Sequence, residues 1–199
     1  MVSVYDVKPA FQNLLRPLCS WLAVKSVTAN QVTLAALLLS VIFGLALFSF
    51  PTTTTLYYGM PIVLFVRMAL NAIDGMLARE HGMKTKFGAY LNELADVVSD
   101  IGLYLPFCVA LQGQSEIVIG LILLACIVEF AGVLGYSVGS VRQYQGPMGK
   151  SDRALFFGIL SLLVASGYGD YWIVPVVLWL MLGLSLMTVN NRIKAGLQA

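Results

Sequence analysis

Charge is scarce in this chain. Asp, Glu, Lys and Arg make up 11% of its 199 residues, where soluble domains carry roughly 25%. Apolar residues make up 59%, and the mean hydropathy is +0.84. A soluble enzyme is excluded, and a net charge of +2 leaves no electrostatic footprint for nucleic acid. Histidine occurs once, at His81, and the three cysteines (Cys19, Cys108 and Cys126) lie far apart. Neither a zinc-ligand spacing nor a disulfide framework can be built from that set. The first 29 residues lack the continuous apolar core of a cleavable leader, being interrupted by Asp6, Lys8, Arg16 and Lys25. Internal repeats and low-complexity linkers are missing too.

What is present is a succession of apolar runs. At ~20 residues per membrane crossing, about six spans fill the chain and leave no room for a soluble domain. The expected architecture is all-α and integral to the membrane: one domain over 1–199, with 1–29 an interfacial helix and linker and 30–192 a six-helix bundle. The interfacial helix is expected over 5–24, where Phe11, Leu14, Leu15, Leu18, Trp21 and Leu22 share one side and Lys8, Gln12 and Arg16 another. Asn30 is the expected N-cap of the first span. The spans are expected near 31–50, 56–78, 87–111, 115–139, 153–167 and 171–190. Basic residues cluster before the first span, in the second and fourth connections and after the last span; the opposite loops offer only Glu116 and Asp170. The positive-inside rule then places both termini and both basic loops in the cytoplasm.

Polar groups within such spans are costly unless paired or bound to an ion, so they mark function. Asn71 and Asp74 stand three residues apart on one helix face, and Asn92, Asp96 and Asp100 form a four-residue stripe on the next span. The short connection between these spans predicts antiparallel neighbours whose oxygens converge. Such donors suit a hard divalent cation shared with phosphate and water. Gly75 and Gly88 would clear space for a phosphate or nucleoside, and Arg79 would supply charge-assisted hydrogen bonds to it.

Residues 71–96 resemble the signature of the CDP-alcohol phosphotransferase (CDP-alcohol phosphatidyltransferase) family, Asp-x2-Asp-Gly-x2-Ala-Arg-x8-Gly-x3-Asp-x3-Asp, with Asn71 and Asn92 in place of its first and third aspartates. The runs Thr28-Ala29-Asn30-Gln31-Val32-Thr33 and Gly146-Pro147-Met148-Gly149-Lys150-Ser151-Asp152-Arg153 extend the likeness to nearly the whole chain, within a bacterial branch. The resemblance implies a six-span bacterial inner-membrane enzyme that works as a homodimer. It would move a phosphatidyl group from CDP-diacylglycerol, or a similar CDP-linked lipid, to an alcohol and release CMP. It implies Asn71, Asp74, Asn92 and Asp96 as ligands of Mg²⁺ or Mn²⁺, one or two ions, and Asp96 as the catalytic base. It also implies CDP contacts from Asn71, Asp74, Gly75, Ala78, Arg79 and Gly88. An amide oxygen ligates a metal but brings no negative charge, so two formal charges are lost and weaker metal affinity is expected.

The resemblance places Lys150, Arg153 and Arg142 at the acceptor, which favours a phosphorylated alcohol; contact with anionic lipid head groups is the alternative. Glu129 lies in mid-span and requires either protonation or a polar partner. Arg67 is a candidate partner for Asp100. Two other functions compete with the transferase. One is a catalytically weakened relative that binds lipid or CDP-lipid, motivated by Asn71 and Asn92. The other is a small ion transporter, which has no need of the Gly75, Ala78, Arg79 and Gly88 framework.

Overall fold

Thr28, not Asn30, opens the first long apolar helix. Its side chain accepts a hydrogen bond from the Gln31 backbone N–H, and the Gln31 side chain accepts one from the Thr28 N–H at 2.9 Å, a reciprocal capping box. Asn30 is the second residue of the helix and has other work, described below. The computed structural model describes residues 8–198, and within them the secondary structure is helical with no strand.

In chain order the elements are α1 (Lys8–Val24), α2 (Ala29–Ser49), α3 (Thr54–Glu80), α4 (Lys86–Tyr104), a single turn α5 (Phe107–Ala110), α6 (Ser115–Val133), α7 (Lys150–Ala165) and α8 (Ile173–Leu197). A short 3₁₀ stretch, Leu134–Val138, extends α6. The interfacial helix expected over 5–24 corresponds to α1, its first three residues lying outside the described part. The third span, expected to be continuous over 87–111, instead breaks at Leu105 and Pro106. Proline lacks the N–H that the preceding turn would bond.

Among the described residues, four helices are long and apolar enough to cross a membrane: α2, α3, α6 with its extension, and α8. Their outward faces carry exposed Leu38, Ile42 and Leu45 on α2, Ile62 and Phe65 on α3, Leu123 and Ile127 on α6, and Val176 and Trp179 on α8. Large apolar side chains left on the outside in this number require a lipid solvent.

Inside, two apolar clusters bracket a polar layer. One gathers Tyr57, Met60, Leu103, Tyr104, Phe107, Phe157 and Leu178, with Tyr104 stacked on Phe157 at a 3.8 Å centroid separation. The other joins Cys19 of α1 to Val32 of α2 and to Ile73, Met76 and Leu77 of α3. Along α3 the switch from one cluster to the other falls between Leu64 and Ile73, and Arg67 and Asn71 occupy that interval.

Helix α2 is the keystone of this arrangement, packing against both α3 and α4. Where α2 crosses α4, a Cβ added to Gly44 would lie 2.1 Å from the carbonyl oxygen of Gly102, so the two backbones touch. Small residues permit such crossings between membrane helices. By contrast, α3 and α4 scarcely approach one another at the backbone, although five residues join them; α3 packs instead on α7, and α6 on α8. The expected close antiparallel pair is therefore a splayed one, with α2 as the wedge.

Gly44→Ala is expected to force α2 and α4 apart and to lower the thermal unfolding midpoint, at a cost of about 1–3 kcal/mol. Gly183→Ala serves as the control, because no atom lies within 4 Å of a Cβ built there. Unfolding of both variants in one detergent, followed by circular dichroism, checks the difference.

Candidate functional site

The splay between α3 and α4 is filled by polar side chains. From α3, Asn71 Nδ2 donates to Asp96 Oδ1 of α4 at 3.1 Å. One turn earlier, Arg67 Nη2 donates to the Asp96 backbone carbonyl at 3.1 Å and Nη1 to Asp100 Oδ1 at 2.6 Å. The Arg67–Asp100 pairing left open in the sequence is thus formed. From α2, the Thr33 hydroxyl donates to Asp74 Oδ2 at 2.8 Å. From the first residue of α7, Lys150 Nζ meets Asp96 Oδ2 at 2.5 Å. Asn71 lies three residues before Asp74 on α3, so its bond to Asp96 ties the Asp74 side of α3 to α4, with Thr33 of α2 and Lys150 of α7 on the flanks.

Beside these side chains lies a buried ion network. Arg153 donates through Nε and Nη2 to Asp100 Oδ2, at 3.0 and 2.8 Å, and through Nη2 to Glu129 Oε1 at 2.7 Å. Glu129 also accepts from Arg142 at 2.9 Å and from Arg192 at 3.2 Å. Arg142 bonds Glu93 Oε2 as well, at 2.7 Å, and lies over the Tyr144 ring at 4.4 Å. Burial alone would lower the Arg142 ionisation, but Glu93 and then Glu129 raise it above the ordinary arginine value. Glu129 thus meets polar partners at the bundle centre, the second of the two outcomes its sequence position required.

The loop before α7 is fastened so that Lys150 and Arg153 stay in place. Gly146 has a φ of 129°, and a Cβ there would lie 2.5 Å from the Thr188 side chain of α8. Only glycine takes that backbone at low cost. Met148 N–H then donates to Thr188 Oγ1 at 2.9 Å, and Gly149 N–H to Asp152 Oδ2 at 3.0 Å, which caps α7.

The remaining sequence-selected residues sit around the mouth. Arg79 is exposed, and its guanidinium folds back over Gly75, reaching within 3.1 Å of where a Cβ would stand. The space above Gly75 is therefore taken by Arg79. At Gly88 a Cβ would meet Asn30 Oδ1 at 2.6 Å and Thr85 Oγ1 at 2.9 Å, so this glycine lets the start of α4 approach the start of α2. Ala78 and Asn92 are half-buried. Arg142 and Arg153, expected to face the acceptor, have their guanidiniums engaged by carboxylates, with side chains 9% and 3% exposed; Lys150 is 23% exposed.

Thr33, Glu93 and Arg192 belong to this assembly but were not singled out as site residues. A hydroxyl inside the first apolar run was the available signal for Thr33, and a carboxylate next to Asn92 was the one for Glu93. Among the described residues, no group of three or more His, Cys, Asp or Glu side chains gathers as a metal cage. Of the four residues expected as ligands, Asn71 and Asp96 are joined directly, through the Asn71 Nδ2, and Asp74 is held by Thr33.

Comparison with known proteins places these features in context. The family model described as CDP-alcohol phosphatidyltransferase matches residues 26–189. The Escherichia coli inner membrane protein YnbA is 46% identical over 197 residues, covering 98% of this chain and 97% of that one. Phosphatidylinositol phosphate synthase of Mycobacteroides abscessus is 27% identical, over 94% of this chain and 86% of its own. Crystal structures of the Mycobacterium tuberculosis phosphatidylinositol phosphate synthase PgsA1 share the fold at 20% identity and a TM-score of 0.73. The form with CDP-DAG bound is covered over 92% of its length by 90% of this chain, and the form with manganese and citrate over 88% by 91%.

Glu129→Ala would leave Arg142, Arg153 and Arg192 short of a buried counter-charge, at a cost of about 3–5 kcal/mol. Lys150→Met leaves Asp96 with Asn71 and Arg67 still beside it and is expected to cost less than Glu129→Ala. Thermal unfolding of the two variants separates the structural core of the network from its exposed end.

Proposed function

We infer the function from membership: the chain belongs to the CDP-alcohol phosphatidyltransferase family, transferases of substituted phosphate groups in phospholipid biosynthesis, and is a multi-pass membrane protein. Its own reaction is proposed as transfer of the phosphatidyl group of CDP-diacylglycerol, or a similar CDP-linked lipid, to an alcohol. The observation that carries this reading is Asp96 of α4 held by both Asn71 of α3 and Lys150 of α7, with Asp74 three residues beyond Asn71.

Asp96 is the proposed base. Asn71 fixes Oδ1, and Arg67 anchors the backbone at the same residue. Oδ2 faces Lys150 and becomes available when the ammonium moves aside for the acceptor. The acceptor hydroxyl oxygen then attacks the phosphatidyl phosphorus, the P–O bond to CMP breaks, the hydroxyl proton passes to Asp96, and CMP departs with the bond's electron pair. Arg79 at the end of α3 is proposed to hold the cytidine diphosphate, swinging off Gly75 to do so, with Asp74 and Ala78 beside it. Binding both substrates in one interfacial space supplies the entropic advantage.

A divalent cation fits the donor set. Asp74, Asp96, Asn71 and Asn92 offer oxygen alone, and Asp96 Oδ2 already presents itself to a cation, the Lys150 ammonium. Mg²⁺ or Mn²⁺ held there would neutralise charge on the pyrophosphate. With two carboxylates in the set, one ion is the proposed complement.

The proposal also takes α2, α3, α4, α6, α7 and α8 as six spans, with α1 lying in the interface. Both termini then face the cytoplasm of a bacterial inner membrane, and the working form is a homodimer. What supports the orientation is the basic loops flanking α4 and α7; what supports the interfacial α1 is its amphipathic pattern and the ion pair from Arg16 to Glu80 at the end of α3. A second reading, a weakened relative that binds CDP-lipid without turnover, draws on the amides at Asn71 and Asn92.

Purified protein with labelled CDP-diacylglycerol, Mg²⁺ or Mn²⁺ and a panel of alcohols is expected to release CMP. Chelation should stop the release, and Asp96→Asn should slow it about 10²–10⁴-fold while leaving the fold intact. Binding of the CDP-lipid with no CMP from any alcohol would favour the second reading instead.

A further inference from the structure

The acceptor side of the site has cations, but their charge is already used. Arg67, Arg142, Arg153, Arg192 and Lys150 supply five positive charges; Glu93, Asp96, Asp100 and Glu129 supply four negative ones, each in contact with at least one of the five. Arg67, Arg153 and Arg192 have side chains no more than 3% exposed, and each holds a carboxylate deep in the bundle. Arg142 is the most exposed of these four guanidiniums, at 9%, and it is clamped between Glu93 and Glu129. Lys150 has a single carboxylate partner and is the most exposed of the five.

A phosphomonoester brings about −1.5 to −2 charge at pH 7 and three strong acceptor oxygens. One lysine cannot match it. Recruiting Arg142 would strip a counter-charge from Glu129, which is 6% exposed, and an orphaned buried carboxylate is strongly unfavourable. An alcohol without an anionic group makes no such demand. It needs a hydroxyl near Asp96 Oδ2 and polar partners at the rim, which the Glu93 carboxylate, 29% exposed, supplies as an acceptor.

Resting on the transferase reading above, we propose that Glu93 and Glu129 act as charge caps that set acceptor specificity: the site takes an uncharged alcohol, such as a polyol, and excludes phosphorylated ones. The basic residues Arg142 and Arg153, which in the sequence favoured a phosphorylated acceptor, thereby become walls of the pocket, positioned by carboxylates that repel an incoming phosphate.

The test uses the full chain in lipid nanodiscs. Thermal stabilisation by CDP-diacylglycerol first reads donor binding; its failure sinks the transferase reading and leaves acceptor charge to be read separately. Glycerol 3-phosphate and inorganic phosphate are then titrated as probes. Wild-type protein is expected to show no saturable stabilisation by either, and Glu93→Gln, which uncaps Arg142, to gain phosphate affinity by at least about tenfold. In the CMP-release assay, glycerol or inositol should outpace their phosphorylated forms, and Glu93→Gln should narrow that ratio. Saturable binding of glycerol 3-phosphate by the wild type, abolished by Lys150→Met, would overturn the proposal without any variant at Glu93. Faster CMP release with a phosphorylated alcohol, or a folded Glu93→Gln protein that gains no phosphate affinity, would overturn it equally.

Discussion

The contact of Glu129 with three arginines is the interaction on which the rest of the structure leans. It ties α6 to α7 through Arg153, to α8 through Arg192, and to the loop before α7 through Arg142. Arg153 passes the link on to Asp100 of α4, and Asp100 passes it to Arg67 of α3. In a lipid solvent the hydrophobic effect does not drive helices together, so packing, hydrogen bonds and charge must orient them. Each member also forbids its neighbours from leaving, because a buried charge stripped of its partner is far worse than a pair never formed. The network is therefore a device of geometry more than of stability. It holds Lys150 at the lip of the site and Asp96 beneath it.

The splay of α3 from α4 follows from the same constraint. Two helices in ridge-and-groove contact would leave no room for Arg67, Asn71, Asp96 and Asp100 between them. Spacing them apart, with α2 and α7 on the flanks, gives these side chains their room: Thr33 of α2 holds Asp74, and Lys150 of α7 covers Asp96.

Much of this was legible in the sequence, for identifiable reasons. A carboxylate inside an apolar run is conspicuous because its cost must be offset, so Asp74, Asp96, Asp100, Glu129 and Arg67 stood out before any coordinates. The three- and four-residue spacings placed them on helix faces correctly. Partner choice was another matter. Asp100 joined Arg67 and Arg153 together, and Glu129 found Arg192 from 63 residues away; such matches depend on how helices are arrayed, which spacing along one helix does not encode. Thr33 escaped notice because a hydroxyl in a membrane helix can satisfy itself on its own backbone, as it does in part on Ala29. Gly75 and Gly88 read as openings for a ligand, yet each makes room for a protein group, Arg79 in one case and Asn30 in the other.

The main-chain contact between Gly44 and Gly102 has a further effect on how the molecule tolerates change. Because peptide groups and not side chains meet there, the relative depth of the two helices in the bilayer is set by parts that substitution elsewhere does not alter. Lipid-facing positions on both can drift through sequence space, adapting to membranes of different thickness, while Thr33 on one helix and Asp96 and Asp100 on the other, all on one side of that crossing, keep their mutual elevation.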